Sequence, residues 1–403
     1  MKKKLIIALV VLIVLLLGVW VYLLLNGAPA SVTEFRENIF GKPAAVIPVS
    51  TPTQGEVPLE DGEGSATSRT LPIKSTLVKL TDRPVAGATF ATTSEGAVVR
   101  YAVKGTGHVY DVSLTTGTEN RISNRVIPQT VEVAWSPVGT RAVFTTDVGG
   151  KKGDTFLTTL TTTDAGALWL DSEKIGSLAN AAFSQAGDEL FYTETIENGY
   201  TRAFARNVRS GTIQTLFTVP FGENTVLWDL WKTASTSVHY VYTKPASGFN
   251  GYLYSIAGNA LSKVDSAKNL SALRTDSAVV IINKDSGGGP YSLLLNTRSG
   301  RGDFLSIQTL KEKCGGYDTV VWCGTSVNAQ DENFPIAWYQ GTLSYADSLY
   351  KLDTRTGQSA LVLDPETLAR EQIDITNLTV SPEGPVIFKN KKDDSLWLFN
   401  PAQ

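Results

Sequence analysis

The alternation of apolar and polar positions divides the chain into three stretches. From Leu5 to Leu25 runs LIIALVVLIVLLLGVWVYLLL, 21 residues without a charge. As a helix rising about 1.5 Å per residue it would reach roughly 31 Å, the thickness of a bilayer's hydrocarbon. From 26 to 74 no apolar period survives, and Pro, Gly, Ser, Thr and Ala dominate. That is the composition of a flexible linker, with an end-to-end distance of about 40 Å. From 75 to 403 short runs of Val, Thr, Tyr, Phe and Leu alternate with Gly, Asp, Asn and Ser turns. This pattern predicts strands throughout and no long amphipathic helix.

Two markers repeat along the third stretch. One is an apolar strand, a Ser/Gly turn and a second strand: AWSPVGTRAVF from Ala134, AFSQAGDELFY from Ala182, TVSPEGPVIFK from Thr379, and a degraded copy from Thr89. Phe90, Trp135, Phe183 and Trp231 fall at intervals of 45, 48 and 48. The other is a hairpin turn with glycine in a fixed place, at Gly117, Gly211, Gly300 and Gly357. Glycine suits a left-handed turn position because it has no Cβ to clash. Four short strands per 45–48 residues is the period of a propeller blade.

The expectation is therefore an all-β, seven-bladed β-propeller of four-stranded blades over 75–403. Inner strands are expected to start near residues 85, 131, 179, 226, 269, 317 and 376. Blades four and five carry the weakest marks, which leaves six or eight open. The last blade supplies only NLTVSP, PVIFKN and SLWLFN before the chain ends, so Ser75–Thr81 is expected to provide its fourth strand and close the ring. The Ser-Pro-x-Gly copies at Ser136 and Ser381 resemble the repeat of the translocation protein TolB and related WD-like propellers. The pair Cys314 and Cys323 ahead of Trp338 is similar to a group of single-anchor envelope propellers in bacteria with reduced genomes. Neither resemblance brings a catalytic residue with it, and the TolB likeness implies at most an accessory role in assembly or secretion.

Charge sets orientation and partners. Lys2, Lys3 and Lys4 precede the apolar run and no basic residue follows it closely, which puts the N-terminus in the cytoplasm and the rest outside, anchored in the cell membrane. Ala28-Pro29-Ala30 resembles a signal-peptidase site, but 21 apolar residues exceed the usual signal-peptide core. Setting aside those three lysines leaves 33 basic against 39 acidic residues, a charge of −6. That surface argues against nucleic acid, which needs a basic footprint. Two histidines and two cysteines make a zinc, copper or haem site improbable, and no cofactor is expected.

Little in the sequence carries chemistry. Cys314 and Cys323 flank CGGYDTVVWC, and in an exported protein an even pair reads as a disulfide; a redox or metal role lacks a CxxC or a nearby His. The segment Gly324–Asp347 is longer than a blade loop and holds Phe334, Trp338, Tyr339 and Tyr345. These aromatics either fold back over the blade edge or form a lip for a partner. No G-x-S-x-G, P-loop or EF-hand spacing is present. The expectation is a non-catalytic envelope module binding a protein or glycan. The alternative is a hydrolase or lyase acting on an envelope polymer, which would need acids from several inner-strand ends to converge in one recess.

Overall fold

The computed structural model describes residues 70–401 apart from 124, 163–167, 223, 228–237, 247, 259, 276–278, 286–289, 297–299, 318 and 327–333. The apolar run Leu5–Leu25 and the linker lie outside the described residues. Among the described residues no helix is long and apolar enough to cross a membrane.

Among the described residues twenty-seven strands follow in order. After β1 (Leu77–Thr81), the first sheet holds β2 (Val85–Thr93), β3 (Gly96–Val103), β4 (Val109–Ser113) and β5 (Glu119–Arg121). The second holds β6 (Thr130–Trp135), β7 (Arg141–Val148), β8 (Lys151–Thr162) and β9 (Leu168–Gly176). The third holds β10 (Asn180–Phe183), β11 (Glu189–Thr195), β12 (Thr201–Asn207) and β13 (Ile213–Val219). A seven-stranded fourth sheet runs β14 (Asn224–Leu227), β15 (Val238–Thr243), β16 (Asn250–Ala257), β17 (Ala260–Arg274), β18 (Val279–Asp285), β19 (Pro290–Asn296) and β20 (Gly302–Leu305). The fifth holds β21 (Cys314–Tyr317), β22 (Val320–Thr325), β23 (Ser348–Asp353) and β24 (Ser359–Leu363), and the last β25 (Ile375–Val380), β26 (Val386–Asn390) and β27 (Leu396–Phe399). All strand pairs are antiparallel, and all except β1–β27 join consecutive strands, as hairpin connections dictate.

The expected seven blades are corrected to six sheets. The break expected before residue 269 does not occur, because ALSKVDSAKNLSALR contains no Gly or Pro and runs on as the single 15-residue strand β17. Its first half pairs with β16 (Ala257 opposite Ala260) and its second with β18 (Arg274 opposite Val280). The change of partner falls at an irregularity between Lys268 and Ser271, where Asn269 takes a φ of 57°. A local bulge thus does what a turn does elsewhere in the chain.

Ring closure uses the strand ahead of the first sheet. β1 joins β27, with Leu77 opposite Phe399, Val78 opposite Leu398 and Lys79 opposite Trp397. Val78 and Leu80 are buried in one cluster with Val85, Val99 and Tyr101 of the first sheet and Ile387, Leu396 and Leu398 of the last. An apolar side chain buried in this way contributes about 1.5–3 kcal/mol.

Neighbouring inner strands approach each other closely. A Cβ at Gly87 would lie 2.0 Å from the Val133 carbonyl oxygen, and one at Gly315 would lie 2.2 Å from that of Leu378. Glycine at these positions lets β2 meet β6 and β21 meet β25. The Ser/Gly turns of the repeat also serve the joints. Arg100 on β3 forms a bidentate pair with Asp111 (2.8 and 2.7 Å) and donates to the Gly139 carbonyl at 2.7 Å. One sheet later, Arg141 donates to the Gly187 carbonyl at 3.2 Å.

Candidate binding site at the channel mouth

Inner strands of a propeller gather their N-terminal ends around one mouth of the central channel. There the chain forms a cavity of about 300 Å³ from residues far apart in sequence. β6 contributes Glu132, β10 Asn180 and β14 Thr225, while Lys244 follows β15. Lys311 and Glu312 come from a single 3-10 turn, Lys311–Lys313, that leads into β21. Lys152 reaches the wall from the start of β8, pairing with Glu132 at 3.3 Å and donating to the Ala179 carbonyl at 2.8 Å. Glu312 accepts from the Tyr339 hydroxyl at 3.0 Å.

Among the described residues the two remaining cations are left without a carboxylate. Among the described residues, Lys311 Nζ donates to the Val226 carbonyl alone, at 3.4 Å, and Lys244 is exposed. Loss of water lowers the Lys311 pKa; Glu312 and Glu132 pull it back up, Lys244 pushes it further down, and the net shift is downward. Burial, then Glu312 and Tyr242, hold the Tyr339 phenol well above its usual range.

The segment before β23 packs beside this mouth. Phe334 begins it, α1 (Ile336–Tyr339) follows, and Leu310, Phe334, Trp338 and Tyr345 form one buried cluster. Phe334, Trp338 and Tyr345 are only 3, 3 and 7 % exposed, so they make the interior of a plug. Tyr339, at 38 %, is the one that can meet a ligand. The plug is fixed by charge. Lys313, 2 % exposed, donates to Asp374 at 2.5 Å and also to Asp347. Asp374 further accepts from the Trp338 indole (3.0 Å), the Ser344 hydroxyl (2.8 Å) and the Tyr345 backbone N–H (3.0 Å). Asp347 accepts from the Ile375 N–H at 2.8 Å, and its other oxygen is buried without a hydrogen bond. Burial works against the Asp374 charge, but Lys313 and the hydrogen bonds outweigh it and hold the carboxyl below its usual range. At Asp347 burial wins, and the pKa is pushed up to about 6.

The disulfide forms as expected. Cys314 and Cys323 face each other across the β21–β22 hairpin with Cα atoms 4.2 Å apart. Because Cys314 directly follows Lys313, the bond fixes the strand that carries the charged turn. Closing a ring of this size contributes about 2–3 kcal/mol. His239 packs on Phe217 at 5.1 Å, and His108 sits 3.1 Å from Arg121; neither lines the cavity. Among the described residues no three His, Cys, Asp or Glu side chains are placed to hold a metal ion.

The glutamates and lysines of the mouth were not found from the sequence. Glu132 and Lys311 are 179 positions apart and share no motif. The one signal was positional, since each precedes or opens an inner strand.

Comparison with known proteins shows the fold. No family model matches the sequence, and no curated protein matches it. Among solved structures the chain is similar to an oligogalacturonate lyase in complex with manganese, at 10 % identity and a TM-score of 0.53, covering 83 % of this chain and 95 % of that one. It is also similar to an oligogalacturonate lyase from Vibrio parahaemolyticus (10 %, TM-score 0.51, 82 and 95 % covered). A third likeness is to the propeller domain of the Trilobed protease from Pyrococcus furiosus (10 %, TM-score 0.50, 79 and 96 % covered), which is described as having an open velcro topology. In this chain β1 pairs with β27. The chain is a β-propeller.

Proposed function

We propose that the chain is a non-catalytic recognition head of the cell envelope, held to the membrane by Leu5–Leu25, that takes its ligand into the channel mouth. The observation that supports this most is the cavity itself, where polar and charged side chains from seven separate segments converge. Its size sits at the lower end of small-molecule sites, about 300–1,000 Å³. A free sugar or the exposed end of an envelope glycan would fit it. The TolB-like repeat adds the idea that recognition serves envelope assembly.

A second reading has its own support. Glu132 and Glu312 share one recess, the arrangement an enzyme of acidic or neutral polymers would need. Against it, Glu132 is neutralised by Lys152, and Glu312 is engaged by Tyr339. The deciding experiment incubates the purified full-length chain in detergent with acidic and neutral glycan fragments. The recognition reading expects a raised Tm with one class and recovery of the fragments intact. Shortened fragments or new unsaturated ends would favour the enzyme, and no Tm change with any fragment would contradict recognition at the mouth. For the anchor, the chain should stay with membranes through an alkaline carbonate wash; release into the supernatant would contradict it.

A further inference from the structure

We infer that the channel mouth selects a monoanionic, hydroxyl-bearing small molecule, a sugar acid in chemical class, with its carboxylate held between Lys311 and Lys244. The inference rests on the recognition reading above and names what that site takes. The charge count is the starting point. Three lysines and two glutamates line the cavity, a surplus of one positive charge. Lys152 is committed to Glu132, so the surplus resides on Lys311 and Lys244. The described structure gives neither ammonium a carboxylate, and Lys244 raises the cost of the Lys311 charge.

A carboxylate placed between them supplies the missing partner. Charge-assisted hydrogen bonds are the strong ones where water is scarce. A doubly charged anion fits less well, because Glu132 and Glu312 stand in the same wall and repel the second charge. The site also lacks an arginine fork, the usual reader of phosphate. Beside the lysines, Thr145, Thr225 and Asn180 line the cavity with groups that hydrogen-bond hydroxyls.

Binding is coupled to a proton. Burial holds the Lys311 amine below the usual lysine range, and an arriving anion stabilises its ammonium form. Above the depressed pKa the complex therefore takes up a proton. Affinity should fall as pH rises through that pKa. The groups facing Lys311 are Glu312 on its own turn, Glu132 on β6 and Lys244 after β15.

The test is calorimetric titration of the full-length chain in detergent at low salt with glucuronate, glucose and inorganic phosphate. Glucuronate should bind at least about tenfold tighter than glucose, and Lys311→Met and Lys244→Ala should each weaken it about tenfold or more. At alkaline pH, heats measured in buffers of different ionisation enthalpy should show proton uptake in the native chain and none in Lys311→Met. An unchanged Tm will show that Lys311→Met folds. Equal binding of glucose and glucuronate, or phosphate binding as tightly as glucuronate, overturns the selectivity. If none of the three binds while glycan fragments still raise Tm, the ligand class is wrong and the recognition reading survives. If neither measurement responds, both fall.

Discussion

Lys311 and Lys313 lie two residues apart on one 3-10 turn, yet the chain treats them in opposite ways. Lys313 turns toward the plug and meets two carboxylates, Asp347 and Asp374, with Trp338, Ser344 and Tyr345 completing the shell around Asp374. Lys311 turns toward the channel and finds one carbonyl oxygen at 3.4 Å. A buried ammonium with its countercharges holds structure together. One that is desolvated without them stores an unmet electrostatic demand, which a ligand can satisfy. The turn thus separates a closed, load-sharing face from an open one, and the Cys314–Cys323 bond beside it fixes the boundary.

The comparison can be broken most directly by removing each cation. Lys313→Met leaves two buried carboxylates facing each other and should cost about 3–5 kcal/mol in denaturant unfolding of the full-length chain. Asp374→Asn should cost about 3 kcal/mol, since Lys313 keeps one carboxylate but the hydrogen bonds Asp374 accepts from Trp338, Ser344 and Tyr345 are degraded. A loss below 1 kcal/mol in either variant would show that the plug is not held by this cluster.

The doubly substituted Cys314→Ser, Cys323→Ser chain should lose about 2–3 kcal/mol, read by the same unfolding curve. Asp347→Asn should cost only about 1 kcal/mol, because the amide resembles the protonated form that burial already favours. Its sharper signature is in pH. Between the ordinary carboxyl range and about 6, the folded chain retains a proton on Asp347 that the unfolded chain has released. This group therefore makes stability decline as pH rises across that window, and Asp347→Asn should remove the decline. Asp374, whose pKa is lowered, acts in the opposite sense, adding stability above the ordinary carboxyl range that is lost as pH falls below it. Smallest of all, Lys311→Met should change stability by no more than about 0.5 kcal/mol. A loss as large as that of Lys313→Met would erase the distinction between the two lysines.

The sequence made the fold legible where turn chemistry punctuates it. Expected inner-strand starts at 85, 131, 179, 226, 317 and 376 lie within three residues of Val85, Thr130, Asn180, Asn224, Cys314 and Ile375. The same reasoning failed at residue 269 because β17 holds no Gly or Pro and changes partner through a bulge at Asn269 where a turn was expected. The closing strand was readable because an incomplete last sheet needs one, and Leu77–Thr81 was the unassigned apolar run nearby.

The candidate site was only half legible. Composition picked out Phe334, Trp338, Tyr339 and Tyr345 as unusual for a loop but left open whether they fold back or form a lip; three of them turn inward. That depends on Lys313, Asp347 and Asp374, whose charges look like ordinary surface residues in a linear reading. Glu132, Lys244 and Lys311 were invisible for a related reason. Radial symmetry, not local spacing, brings them together.

The contrast between the two lysines is tested most directly by amine labelling of the native full-length chain across mildly alkaline pH, read residue by residue by mass spectrometry. Lys311 should be modified at lower pH than the exposed surface lysines, while Lys313 stays unmodified until the chain unfolds. Equal labelling of Lys311 and Lys313, or a Lys311 that reacts only where surface lysines do, would contradict the account.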